Sequence, residues 1–295
     1  MKRTNERIEN TKFTEERALF KGENMELDGC VFEEGESPLK ESKNVFVRKS
    51  LFRWKYPFWY ANHVDLDEVT FFDGARAGVW YTNEFHMKNS IVEAPKQFRR
   101  CDDIALENVE IPNAQETLWN CKNVSLKDVR AHGPYFAMGC ENVSIDGLIL
   151  VGDYSFDGVK NMEIRNSHLA SKDAFWNSEN VTVYDSFITG EYLGWNAKNL
   201  TLVNCTIESL QGMCYVDNLV MKNCRLINTT LAFEYSSCDA EITGEIDSVL
   251  NPTEGSIKAD KIKHLVIQPD EVDPDKTKIV CNDIEECLDN PDTLW

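Results

Sequence analysis

Three charged residues in this chain stand nineteen positions apart: Asp153, Lys172 and Glu191. If the backbone returns to the same place once per period, they form one column on neighbouring turns, with about 4.8 Å between neighbours. Two carboxylates about 9–10 Å apart would then flank an ammonium group, near the upper separation for an inverting glycosidase, where a water fits between acid and base. In a lyase, Lys172 could neutralise a uronate or abstract a proton. Asp173 stands beside this column, and the expected catalytic set is Asp153, Lys172, Asp173 and Glu191. The competing reading is a ladder of alternating charges, each exposed pair contributing less than about 1 kcal/mol.

A second column lies beside the first. Four places before each repeat position stand Lys40, Trp59, Trp80, Arg99, Trp119, Met138, Asp157, Trp176 and Trp195, which takes in five of the seven tryptophans. The preceding column (Leu39, Phe58, Val79, Phe98, Leu118, Ala137, Phe156, Phe175, Gly194 and Met213) is apolar and must point inward, so the tryptophans are expected to point outward. A solvated wall needs no such row. Beside the charges, which include Arg76, it suits a sugar, with apolar faces against indole and hydroxyls on carboxylate and guanidinium groups. The expected substrate-binding set is Trp59, Trp80, Arg76, Arg99, Trp119, Asp157, Trp176 and Trp195. An interface with another subunit, or a wider core, would also account for the row.

The elements that position these columns follow from a short recurring phrase. Asparagines at 123, 142, 161, 180, 199 and 218 each precede an apolar–polar–apolar triplet, as in Asn142-Val143-Ser144-Ile145. Weaker copies begin at Asn24, Asn44, His63, Glu84, Asp103 and Asp239. Alternation with period two is a strand with one buried face. A period of nineteen is too short for paired helices and suits two or three strands with tight turns. The expected fold is all-β, a single-stranded right-handed parallel β-helix of about eleven coils. One domain is expected over 1–295, with an N-terminal cap at 1–23, coils at 24–267 and an acidic tail at 268–295. Asn, Asp or Gly five places after the repeat residue (Asn108, Asp128, Gly147, Asn166, Asp185, Asn204 and Asn223) marks a turn that accepts left-handed backbone.

The cysteines follow the same columns: Cys101, Cys121 and Cys140 share one, Cys205 and Cys224 another. Small buried fillers explain them better than zinc spacing does. No metal ligand set is expected, apart from a Ca²⁺ that Asp153, Asp157 and Asp173 could hold. The histidines (His63, His86, His132, His168 and His264) make no spaced pair, and His86 is expected to be exposed. The net charge of −19 repels nucleic acid and anionic membranes. No apolar stretch is long enough to span a bilayer, and the charged start is unlike a signal peptide. A cytoplasmic location is therefore expected, with a carbohydrate or other small polar ligand as partner and a homo-oligomer as a further form.

Gly35-Glu-Ser-Pro-Leu-Lys-Glu-Ser42, Lys55-Tyr-Pro-Phe-Trp-Tyr60, Ala75-Arg-Ala-Gly-Val-Trp-Tyr81, Ser171-Lys-Asp-Ala-Phe-Trp-Asn177 and Gly190-Glu-Tyr-Leu-Gly-Trp-Asn196 resemble the bacterial domain of unknown function numbered 3737. The resemblance covers nearly the whole chain. It implies a pectin-lyase-like parallel β-helix and supplies no reaction. The aspartate pair, His-Gly and Arg-Ile-Lys elements of polygalacturonases are absent in recognisable form. The expected function is therefore carbohydrate binding, with lyase or glycoside hydrolase action as its enzymatic form. The alternative is a non-catalytic binding protein or an oligomeric scaffold.

Overall fold

The computed structural model describes residues 3–291. Met1 and Lys2 of the expected cap, and 292–295 of the expected tail, lie outside the described residues. The chain is an all-β parallel β-solenoid of about 15 turns rather than eleven. Among the described residues there is no α-helix, only the 3₁₀ segments Asp73–Ala75 and Pro274–Lys276, and no helix is long and apolar enough to cross a membrane. The chain divides into two compact units, residues 1–151 and 152–295.

In the first unit, strands beginning at Thr4, Glu23, Lys43, Asn62, Asn83, Asp102, Lys122 and Glu141 pair in parallel as one wall. Their inward residues build the core: Val45, Val47, Val64 and Leu66 are at most 1% exposed. A second wall of two- and three-residue strands places Phe13, Phe32 and Phe52 in a stack, with ring centroids 4.9 and 4.6 Å apart. Those distances match the spacing of hydrogen-bonded strands. The third wall pairs Phe58–Trp59 with Val79–Trp80 and continues through single bridges to Arg99 and Trp119.

The repeat asparagines occupy left-handed corners, with φ of 54° at Asn24 and 53° at both Asn44 and Asn123. Left-handed backbone costs most L-residues roughly 1–2 kcal/mol, and asparagine offsets it by local hydrogen bonding. Here the amides bond along the solenoid: Asn24 donates to Asn5 at 3.0 Å and Asn44 donates to Asn24 at 2.7 Å. Asn5 thus begins a turn inside the segment expected as a cap, and Thr4–Glu9 pairs with Glu23–Asp28.

The second unit repeats the plan with strands beginning at Lys160, Glu179, Lys198, Asp217, Ser237, Glu254 and Thr277. Asn180 donates to Asn161 at 3.0 Å, and Asn199 to Asn180 and Asn218 to Asn199 at 2.8 Å each. Register corrects one repeat position. Asp239 pairs with Val220, so Ser237 is the residue opposite Asn218, and its hydroxyl accepts the Asn218 N–H at 2.7 Å. The strands Glu254–Lys258 and Thr277–Val280 add turns that carry neither the asparagine nor the nineteen-residue step, so their sequence does not announce them. The acidic tail supplies Thr277–Val280 and also Asp283–Leu288, which pairs with Lys261–Val266.

Eight of the ten cysteines are buried, all five of the stacked ones included. Cys121 donates to the Phe98 carbonyl at 3.1 Å and Cys140 to that of Leu118 at 2.9 Å. Their thiols fill small inward sites and satisfy carbonyls of an earlier turn.

Candidate functional site

The column five places before the repeat residue is buried throughout, and the tryptophan column beside it faces outward, half-buried. Aromatic rings in register at strand spacing settle against one another. In the first unit Trp59 stacks on Trp80 at 5.2 Å and 5°. The Arg99 guanidinium then lies 4.7 Å from the Trp80 ring and 4.6 Å from the Trp119 ring, a cation between two π faces. Arg99 also pairs with Glu116 at 3.0 Å, while its Nε is buried without a partner. The indole N–H groups of Trp59, Trp80 and Trp119 donate to the carbonyls of Ala77, Lys96 and Tyr135. These rings therefore cover each other's faces and present edges to solvent. Arg76 is exposed and makes no ion pair among the described residues.

The second unit holds the whole expected catalytic set. Lys172 Nζ lies 3.0 Å from Glu191 Oε2, both about half exposed. This hydrogen bond, with the Glu191 charge, holds the Lys172 ammonium above its ordinary pKa and suits it to charge neutralisation rather than to acting as a base. Asp153 is exposed one turn before. Asp173 does not join the outer column. It is 2% exposed, its Oδ1 has no partner, and burial raises its carboxyl above the ordinary range. The physical reason is local: Asp173 and Phe175 both have left-handed backbone, φ 59° and 66°, so simple in–out alternation fails at this corner.

Trp176 and Trp195 form an aromatic row within this unit. Their centroids are 6.0 Å apart, and Tyr215 lies 4.6 Å beyond Trp195. Trp176 donates to the Tyr192 carbonyl at 2.7 Å. Trp195 differs from the other four: its indole N–H has no partner among the described residues. Further along, half-buried Glu234 accepts a hydrogen bond from Gln211, and burial raises its carboxyl too. Asp157 accepts from Asn177 at 2.9 Å, so it serves the corner ladder. Among the described residues no group of three or more His, Cys, Asp or Glu side chains is placed to hold a metal ion.

Sequence reasoning missed a second constellation, on the strand wall of the first unit. Phe46, Asp65, His86, Ala105 and Ser125 stand opposite one another on successive strands. They border a groove of about 390 Å³. His86 Nδ1 lies 3.1 Å from Asp65 Oδ1, His63 Nε2 lies 3.9 Å from Asp65 Oδ2, and His63 Nδ1 lies 2.9 Å from Glu84 Oε2. The available signal was the outward column two places after the repeat residue, read with the local turn length of twenty-one.

The profile of one protein family, Protein of unknown function (DUF3737), matches residues 6–280. No curated protein matches the chain. Among solved structures the chain is similar to PfbA, a surface adhesin of Streptococcus pneumoniae, at 9% identity and a TM-score of 0.39, covering 95% of this chain and 82% of that one. It is also similar to a tailspike protein mutant of E. coli bacteriophage HK620 in complex with a hexasaccharide, at 11% identity and a TM-score of 0.36. That likeness covers 90% of this chain and 60% of the tailspike chain. A third is the A-module of the Azotobacter vinelandii mannuronan C-5 epimerase AlgE4, at 9% identity and a TM-score of 0.26, covering 97% and 90%.

Proposed function

The chain belongs to the DUF3737 family of proteins of unknown function, and from that premise we propose that it is a carbohydrate-binding protein whose site surrounds Trp195. The observation that carries this reading is the free indole N–H of Trp195. Four tryptophans of the row spend this donor on a backbone carbonyl, and the fifth keeps it for solvent or ligand. The exposed Lys172–Glu191 pair lies on the same two turns as Trp176 and Trp195. A donor edge, an ammonium and a carboxylate in one patch match the alternating donors and acceptors of a sugar's hydroxyl rim. Because the ring faces are covered by Trp176 and Tyr215, recognition runs through edges and hydrogen bonds.

In the enzymatic form of this reading, the Lys172 ammonium neutralises an acidic sugar beside Glu191, while Asp173, 2% exposed, lies out of a ligand's reach. A second reading, a scaffold whose aromatic row is a stabilising spine, is favoured by the mutual stacking and tied N–H groups of Trp59, Trp80 and Trp119. The test is a neutral and acidic oligosaccharide library read by thermal shift, since a ligand of the native state raises the melting temperature. The binding reading expects a shift that Glu191→Gln and Trp195→Phe each diminish. A library-wide absence of any shift, or shifts untouched by both substitutions, leaves the scaffold reading standing.

A further inference from the structure

We infer that the groove on the strand wall of the first unit is a separate binding site for a small neutral polyhydroxylated ring, a monosaccharide or cyclitol, with His86 as its central hydrogen-bond acceptor. The groove exists because of a size step along one row. Phe46, Asp65 and His86 are large, Ala105 and Ser125 are small, and all five point outward from adjacent strands. The resulting volume of about 390 Å³ falls at the small end of ligand sites.

The ligand class follows from which groups are still unspent. Every ionisable side chain around the groove already has a polar partner. Lys88 lies 3.5 Å from Asp67, Lys127 pairs with Glu107 at 2.6 Å, and the chain Glu84–His63–Asp65–His86 alternates carboxylate and imidazole. A charged ligand would have to break one of these pairs. Two neutral features on either side of Ala105 remain without a partner among the described residues. A carboxylate only accepts, so Asp65 fixes the proton of neutral His86 on Nδ1 and leaves Nε2 as a free acceptor. The exposed Ser125 hydroxyl can donate and accept. Phe46 stands two strands beyond His86 and four from Ser125, about 19 Å away at strand spacing, so it closes the far end of the groove rather than touching the same ring. His86 and Ser125 stand two strands apart, about 10 Å, on either side of Ala105, so an acceptor and a hydroxyl flank an apolar floor and match the hydroxylated edge of one ring seated between them.

The experiment is proton NMR of the full chain, following the His86 ring C–H resonance during addition of methyl β-glucoside, myo-inositol or glucuronate. Saturable displacement by at least one neutral probe is expected, with glucuronate weaker. Ala105→Trp should abolish it by filling the groove, and Ser125→Ala, at an exposed position that leaves the fold intact, should weaken it several-fold. Trp195→Phe should leave it unchanged, which separates this site from the one around Trp195. A His86 resonance that no neutral probe moves, that responds to glucuronate alone, or that moves equally in wild type and Ser125→Ala overturns the inference.

Discussion

The contrast between Trp176 and Trp195 yields a paired prediction. Replacing either with Phe keeps an aromatic ring in the stack, trims the bicyclic indole to one ring and removes its N–H, so the two substitutions share the packing loss and differ in the hydrogen bond. At Trp176 that N–H donates to the Tyr192 carbonyl at 2.7 Å. Its loss should cost about 0.5–1.5 kcal/mol, the net worth of one such bond. At Trp195 the N–H bonds to nothing in the described chain, so Trp195→Phe should lose about 0.5–1.5 kcal/mol less stability than Trp176→Phe. Trp195→Ala is different. It removes contacts with Trp176 at 6.0 Å and Tyr215 at 4.6 Å, each worth about 0.5–1.5 kcal/mol beyond buried area, so a loss of roughly 2–4 kcal/mol is expected. Guanidinium unfolding followed by circular dichroism measures all three. For a sugar ligand, Trp195→Phe should weaken binding about fivefold, the equivalent of one hydrogen bond near 1 kcal/mol. If Trp195→Phe loses as much stability as Trp176→Phe, the indole is not free, and the argument for the site fails with it.

Three further outcomes follow from the geometry. Asp173 has a folded pKa raised by burial, so its stabilising contribution is present below its unfolded value near 3.9 and is lost as pH rises through the folded one. Asp173→Asn should therefore be more stable than wild type at pH 7, with the difference closing near pH 3.5; a constant difference across that range would falsify this assignment. Native thiol labelling should reach Cys287 first, then half-buried Cys281, while the other eight react only on unfolding; fast modification of Cys121 would contradict the buried stack. Asn180, at φ 57°, donates to Asn161 and accepts from Asn199. Asn180→Ala should cost about 1–2 kcal/mol more than Asn180→Gly, since glycine alone escapes the left-handed penalty, and equal losses in denaturant melts would refute the role given to the corner.

How much of this was legible in the sequence depends on what a period encodes. It assigns residues to columns, so the wall strands, the buried Phe58–Phe98 column, the outward tryptophans and the stacked cysteines could all be read in advance. It does not encode ring tilt, so the face-to-face stacking of Trp59 on Trp80, the placement of Arg99 between Trp80 and Trp119, and the free N–H of Trp195 could not. Asp173 escaped because two left-handed residues in one corner break alternation. The His63–Asp65–Glu84–His86 chain escaped because its members lie in two columns and meet only across a turn of twenty-one residues. The turns at Glu254 and Thr277 escaped because pairing, not an asparagine, defines them.

The asparagine ladder of the second unit has a consequence for how such a chain can change length. Each rung presents one donor to the rung before and one acceptor to the rung after. Losing one residue from a turn would move a corner out of line and exchange inside for outside along the following strand. Losing a whole nineteen-residue period would set Asn199 against Asn161, with amide, apolar and corner positions all meeting their own kind. Gains and losses are therefore tolerated in whole turns, and the reach of the wall can be altered only in steps of about 4.8 Å.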